Sequence, residues 1–271
     1  MRPLIPIALL LVSLPASAAR IGSLDFADCE LAQPGTGATE RAQCATLEVP
    51  EDPTRPDGRT IALKVVRVAA RAAEAPADPV VYFAGGPGQS ASESYPGLAA
   101  AFARLREQRH LVFVDQRGTG GSNPLTCALP EGFDASVEPA PELQLQMARD
   151  CLAALDADAA QYTTTVAAAD VEALRQALGA PKLNLYGGSY GTRMAQEYAR
   201  QYPDAVRSII LDGVVPPGLA LGSEHAVNLE AALRQILGRC AEQPACAEAF
   251  GDPMRSLYQL RDQARAAPVP V

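Results

Sequence analysis

Two short stretches hold residues that could do chemistry together. "LNLYGGSYGTR", residues 183 to 193, ends an apolar run in Gly187-Gly188-Ser189-Tyr190-Gly191, and a helical pattern follows at once. A serine at this G-x-S-x-G spacing fits a nucleophile on a tight strand-to-helix turn. The flanking glycines remove side chains that would clash in such a turn. The helix that follows aims the positive end of its dipole at the hydroxyl. "YFAGGPGQS" follows an earlier apolar run and carries Gly85-Gly86-Pro87-Gly88. Glycines there let backbone N–H groups approach a developing oxyanion. Together the two stretches imply acyl transfer, with Ser189 as nucleophile and the N–H of Tyr190 and a backbone N–H of the glycine loop as oxyanion donors.

A serine hydroxyl needs a base within reach and an acid that orients the base. The chain has 2 histidines. His110 opens an apolar run ahead of the serine, at the far end of the expected sheet, and reads as structural or solvent-facing. His225 follows Ser189 with Asp212 between them, so the order serine, acid, histidine is met. Order is all that favours this pair as a triad. His225 starts a helix, and Asp212 ends a strand, where it is expected to stabilise a turn. A third glycine-rich stretch, "VDQRGTGGSN" at 114–123, lacks the phosphate-binding spacings G-x-x-x-x-G-K-[ST] and helix-opening G-x-G-x-x-G. There Asp115 and Arg117 are expected to tie the turn as a partly buried ion pair.

The surrounding elements must hold these stretches. "ATLEVP" (45–50) and the start of "TIALKVVRVAA" (60–70) alternate as half-buried antiparallel strands do. "PVVYFAG" (79–85), "HLVFVDQ" (110–116), "KLNLYG" (182–187) and "VRSIILDG" (206–213) are apolar runs suited to strands buried on both faces. Helical patterns fall between them: "GLAAAFARLREQ", "VAAADVEALRQALG" with Thr164 or Thr165 as N-cap and Gly179 as stop, and "GTRMAQEYARQYP". Strands alternating with helices predict a mostly parallel sheet covered on both sides. Residues 123–165 read as a surface excursion. Residues 223–262 read as helices alone, a different unit after the last strand.

Composition narrows the partners. Net charge is −8, which gives no reason to expect nucleic acid or an anionic membrane. "MRPLIPIALLLVSLPASAAR" has a basic start, a short apolar run and small residues at Ala16-Ser17-Ala18, the pattern of a signal peptide cut after Ala18 or Ala19. The run is too short to span a membrane. The 6 cysteines fit an oxidising compartment and fall as local pairs, so Cys29–Cys44, Cys127–Cys151 and Cys240–Cys246 is the expected pairing among the alternatives. No C-x-x-C occurs, so zinc is not expected, and nothing implies an organic cofactor.

"GGPGQS", "DQRGTGGS", "YTTTVAAADVEALRQALG", "LYGGSYGTRMAQEYARQYP" and "LDGVVPP", in this order, resemble the exported α/β-hydrolases of the proline iminopeptidase and tripeptidyl aminopeptidase group. The resemblance covers nearly all of the chain after the leader. It implies an α/β-hydrolase fold and a serine exopeptidase, periplasmic or extracellular, that cleaves residues or short peptides from a free peptide N-terminus, with Ser189 as nucleophile and Tyr190 and Gly86 (or Gly85) giving the oxyanion N–H groups. It divides the chain into a signal peptide (1–19), the N-terminal part of the core (20–215) and the start of a helical cap (216–271). "CAEQPAC" resembles a cystine-bearing loop of such caps. Cap carboxylates that could meet a substrate ammonium are Glu224, Glu230, Glu242 and Glu248. In the relatives the triad acid and histidine follow two further strands, whereas "RDQARAAPVPV" lies within the cap. The acid, the base and those strands are therefore expected outside this chain, which leaves a place for a second chain to supply them. An esterase or amidase of the same fold, or an inactive binding module, are the alternatives.

Overall fold

The computed structural model describes residues 19–130, 132–134, 137, 139–220 and 222–267. The expected signal peptide falls on residues outside these, apart from Ala19. In chain order the elements are β1 (Ala19–Ile21), β2 (Leu24–Ala32), β3 (Thr39–Pro50), β4 (Thr60–Val68), β5 (Val80–Phe83), α1 (Ala91–Arg106), β6 (Leu111–Val114), α2 (Pro141–Ala154), α3 (Thr164–Leu178), β7 (Leu183–Gly188), α4 (Tyr190–Gln201), β8 (Val206–Asp212), α5 (His225–Ala241), α6 (Pro244–Phe250) and α7 (Pro253–Ala266).

Eight strands form one sheet in the order β1-β2-β3-β4-β6-β5-β7-β8. The strands from β1 through β4 to β6 pair antiparallel, and β6, β5, β7 and β8 run parallel. β5 lies between β6 and β7, with Val81 paired to both Val112 and Leu185. A central strand covered on both faces has no polar side, and every residue of β5 and β6 is buried. Val81 and Phe83 pack on one face, with Val112, Leu174, Leu185, Met194 and Tyr198. Tyr82 packs on the other, with Tyr95, Phe102 and Phe113. Helices α3 and α4 thus cover one face, and α1 covers the other.

Four expectations need correction. The antiparallel part starts earlier than the alternation suggests: β1, β2 and the first half of β3 precede residue 45. In β2 only Leu24, Phe26 and Leu31 are buried, the first two in the core on one face and Leu31 in the core on the other, so the alternation breaks within the strand. α1 starts at Ala91, ahead of Pro96, with Ser90 as N-cap. The N-cap of α3 is Thr163, whose hydroxyl accepts the Val166 N–H, rather than Thr164 or Thr165. Gly179 ends that helix in the left-handed conformation its lack of a side chain permits. The largest departure is β8, whose apolar sequence implies burial on both faces, yet Ile209 and Ile210 are exposed. β8 is the last strand of the sheet, and much of its surface is open among the described residues.

The three disulfides are Cys29–Cys44, Cys127–Cys151 and Cys240–Cys246. The second ties α2, none of whose residues is buried, back to the loop after β6. Backbone contacts divide the chain into compact units meeting at Pro217 and Gly218. The second unit consists of α5, α6 and α7. Within it the Tyr258 hydroxyl donates to Glu230, which also pairs with Arg234 at 2.6 Å. Glu230 is thereby engaged by its own unit.

Candidate active site

Ser189 stands at the junction of β7 and α4 with φ 52° and ψ −119°. Positive φ is unfavourable for a residue with a side chain and costs about 1–3 kcal/mol. The glycines around it show how the turn is forced. A methyl group on Gly191 would lie 2.0 Å from the Phe83 carbonyl oxygen, and one on Gly187 would lie 2.3 Å from the Gly191 oxygen. Only glycine lets α4 start this close to β5 and β7. Ser189 is left exposed at the C-terminal end of the parallel strands, and its side chain makes no capping bond to α4.

The backbone around Ser189 is held on two sides. Its N–H donates to the Asp212 carbonyl at 2.8 Å. Its own carbonyl accepts from the Thr192 N–H at 2.9 Å and the Thr192 hydroxyl at 2.7 Å. The same Thr192 oxygen accepts the Val215 N–H at 2.8 Å, which ties the segment after β8 to the elbow. Tyr190 is the first residue of α4, so its N–H has no acceptor within the helix. Its phenol meets the Thr164 hydroxyl at 2.6 Å, joining the starts of α3 and α4.

The loop after β5 lies against the serine. A methyl group on Gly85 would sit 3.2 Å from the Ser189 Cβ. Gly86 and Gly88 have φ of 103° and 108°, conformations that favour glycine. Asp115 secures this loop from beneath. It is fully buried and accepts from the Ser90 hydroxyl (2.9 Å), the Ser92 N–H (2.8 Å), the Ser92 hydroxyl (2.9 Å) and the Gly121 N–H (3.0 Å).

The expected Asp115–Arg117 ion pair is therefore not formed. Four donors already satisfy Asp115, and Arg117 reaches Asp170 on α3 instead, through two bonds of 2.6 and 2.7 Å. A third bond, at 2.6 Å, goes to the Glu51 carbonyl. A cavity of about 240 Å³ lies beside these groups, lined by Pro87, Gly88, Leu125, Tyr162 and Tyr190 among others.

The remaining candidates fall elsewhere. The Asp212 carboxylate accepts from the Tyr186 hydroxyl at 3.0 Å, and burial together with this bond pushes the Tyr186 phenol up from its ordinary value. Asp212 thus contributes to the elbow through its carbonyl and to Tyr186 through its carboxylate. His225 is the first residue of α5, in the second unit. His110 precedes β6 at the opposite strand ends, where Nδ1 accepts the Ala70 N–H at 3.0 Å. Sequence patterns do not flag Asp170, Thr192 or the Asp115 donors, because their bonds go to residues distant in the chain or to backbone groups. No group of three potential metal-ligating side chains occurs among the described residues.

The family described as "alpha/beta hydrolase fold" matches residues 78–254. The serine protease Hip1 of Mycobacterium tuberculosis is 31% identical over 232 residues, 79% of this chain and 42% of that protein. The tripeptidyl aminopeptidase of Streptomyces lividans is 31% identical over 219 residues, 74% of this chain and 40% of that protein. The carboxylesterase B of Mycobacterium tuberculosis is 32% identical over 230 residues, 78% of this chain and 44% of that protein. The chain thus spans under half the length of these curated relatives. A crystal structure of proline iminopeptidase from Mycobacterium smegmatis overlaps 83% of this chain and 63% of its own, at 21% identity and a TM-score of 0.46.

Proposed function

From the premise that the chain belongs to the α/β-hydrolase fold family, we propose that it carries the nucleophile and oxyanion loop of an exported serine aminopeptidase. The observation that carries this is the positive-φ Ser189, exposed where β7 meets α4, with Gly85 packed against its Cβ. Relatives named as a serine protease and a tripeptidyl aminopeptidase support a peptidase. Three disulfides, and no described helix long and apolar enough to cross a membrane, are compatible with export.

In the proposed mechanism the Ser189 hydroxyl oxygen attacks the substrate carbonyl. The N–H groups of Tyr190 and Gly86 receive the oxyanion, and the new ester bond forms on Ser189 as the amine leaves. The strained turn holds the hydroxyl clear of its own helix, so no internal bond need break before attack. An imidazole must take the serine proton and return it to the leaving amine. His110 is held at the opposite strand ends, so it does not serve.

The test is labelling with a fluorophosphonate, followed by peptide mapping. For this chain alone no label is expected. Label at Ser189 is expected once a strand-bearing acid and histidine are supplied, by a longer chain or a second one. Strong labelling of this chain alone would overturn that expectation and promote His225. With the complete enzyme, blocking the N-terminus of a peptide substrate is expected to abolish cleavage. Indifference to the block would favour the ester or amide reading, which the similarity to carboxylesterase B supports.

The exposed flank of β8 favours one addition, that a further strand pairs with it. Size-exclusion chromatography of the purified chain checks this when the strand comes from a second chain. A clean monomer at all concentrations would argue against such a partner.

A further inference from the structure

A second cavity opens at the other end of the parallel strands. It has a volume of about 190 Å³, and its lining includes Arg67, Pro76, Ala77, Pro79, His110 and Leu178. Pro79 and His110 immediately precede β5 and β6, so the cavity sits at strand starts, whereas Ser189 follows a strand end. Nothing in the proposed peptidase chemistry uses it.

Its one charged lining group has no counter-charge among the described residues. Arg67 donates to the Gln43 side-chain oxygen and meets the His110 ring at 3.0 Å. No described acid pairs with it. The nearby buried carboxylate, Asp78, is already engaged by Arg109, Arg207 and Asn184. The C-terminus of α3 borders the cavity, and most of its last carbonyls are already engaged. The carbonyls of Arg175, Gln176, Ala177 and Ala180 accept bonds from Gly179, Ala180, Ser23 and the Arg175 side chain. His110 is read as neutral, because its Nδ1 accepts the Ala70 N–H. Burial pushes the Arg67 guanidinium down, with no carboxylate acting to raise it. A partly buried, unneutralised cation is unfavourable unless something pairs with it.

We propose that this cavity binds a small organic monocarboxylate. The carboxylate sits on Arg67, and the hydrocarbon part packs against Pro76, Pro79 and Leu178. A guanidinium presents paired donors that suit a carboxylate. The walls are otherwise mainly apolar, which favours an organic acid over an inorganic anion. The volume suits a single ring or a short chain, since a cavity of about 150 Å³ admits benzene.

Isothermal titration of the purified chain with benzoate tests this, with benzyl alcohol and inorganic phosphate as controls. Saturable benzoate binding is expected, with benzyl alcohol and phosphate each at least about tenfold weaker. Arg67→Met is expected to lose benzoate by the same factor while melting no lower than the parent, since it removes an unpaired charge. Ala77→Phe, at an exposed loop position, fills the cavity without touching the charge and is expected to block binding. It provides the test if Arg67→Met does not fold. Ser189→Ala is expected to bind benzoate as the parent does. Absence of saturable binding, equal affinity for alcohol or phosphate, or binding unchanged in both cavity variants would each overturn the proposal.

Discussion

The Ser189 N–H donates to the Asp212 carbonyl at 2.8 Å, so the nucleophile turn is pinned by backbone to the end of the neighbouring strand β8. The Asp212 carboxylate is not needed for that bond. Asp212→Asn keeps the carbonyl and leaves an acceptor for Tyr186. It is expected to change unfolding free energy by less than about 1 kcal/mol in urea titrations. A larger loss would mean that the carboxylate holds more than Tyr186.

Strain at Ser189 has a measurable sign. Ser189→Gly relieves the positive φ, and the extra freedom of glycine in the unfolded chain offsets part of the gain. A net stabilisation of roughly 1 kcal/mol is expected, read as a raised urea midpoint with unchanged slope. A lowered midpoint would show that the turn is not strained.

Two glycines separate space from conformation. Gly191→Ala drives a methyl group to 2.0 Å from the Phe83 oxygen and is expected to cost at least about 3 kcal/mol or prevent folding. Gly238, within α5, has nothing within 4 Å of the place an added methyl group would take. Gly238→Ala is expected to raise stability by about 0.5–1 kcal/mol through helix propensity. Thermal melts of both variants check the contrast.

The Arg117–Asp170 pair is almost wholly removed from water, with side-chain exposures of 1% and 7%. Removing one partner strands the other. Asp170→Asn is therefore expected to lose about 3–5 kcal/mol by chemical denaturation. A loss below about 1 kcal/mol would be the behaviour of an exposed pair instead.

His110 supplies a pH dependence. Burial first, and then the Arg67 charge, push its imidazole below the ordinary value. The unfolded chain therefore binds the proton more readily. The stability that follows is complete above about pH 6.5 and declines as pH falls from there through the lower folded value. Elsewhere near these strand starts, Arg109 and Arg207 both pair with Asp78. His110→Gln is expected to flatten the urea midpoint between about pH 6.5 and 5 relative to the parent.

Most of the sheet's centre is legible in the sequence because its strands read directly as apolar runs: β5, β6 and the Leu183–Leu185 part of β7 are buried where the pattern puts them. The elbow is legible because sterics at Gly187 and Gly191 demand those residue types at that spacing. Legibility fails where partners are remote. Arg117 pairs with Asp115 on sequence proximity, while its real partner lies 53 residues on. The β8 pattern reports what its side chains could cover, not what covers them here. β2 escapes notice because its buried residues change face between Phe26 and Leu31, which breaks the two-residue period.

The disulfides join cysteines only 15, 24 and 6 residues apart. Each closes a short local loop, so no cystine joins early strands to late ones. One of them, Cys29–Cys44, ties β2 to β3 across their ladder, while the order and register of the other strands rest on non-covalent packing. A reductant would loosen a β-ribbon, a surface helix and a helical corner separately, each releasing its own loop-closure entropy, while leaving Ser189 seated between β7 and α4.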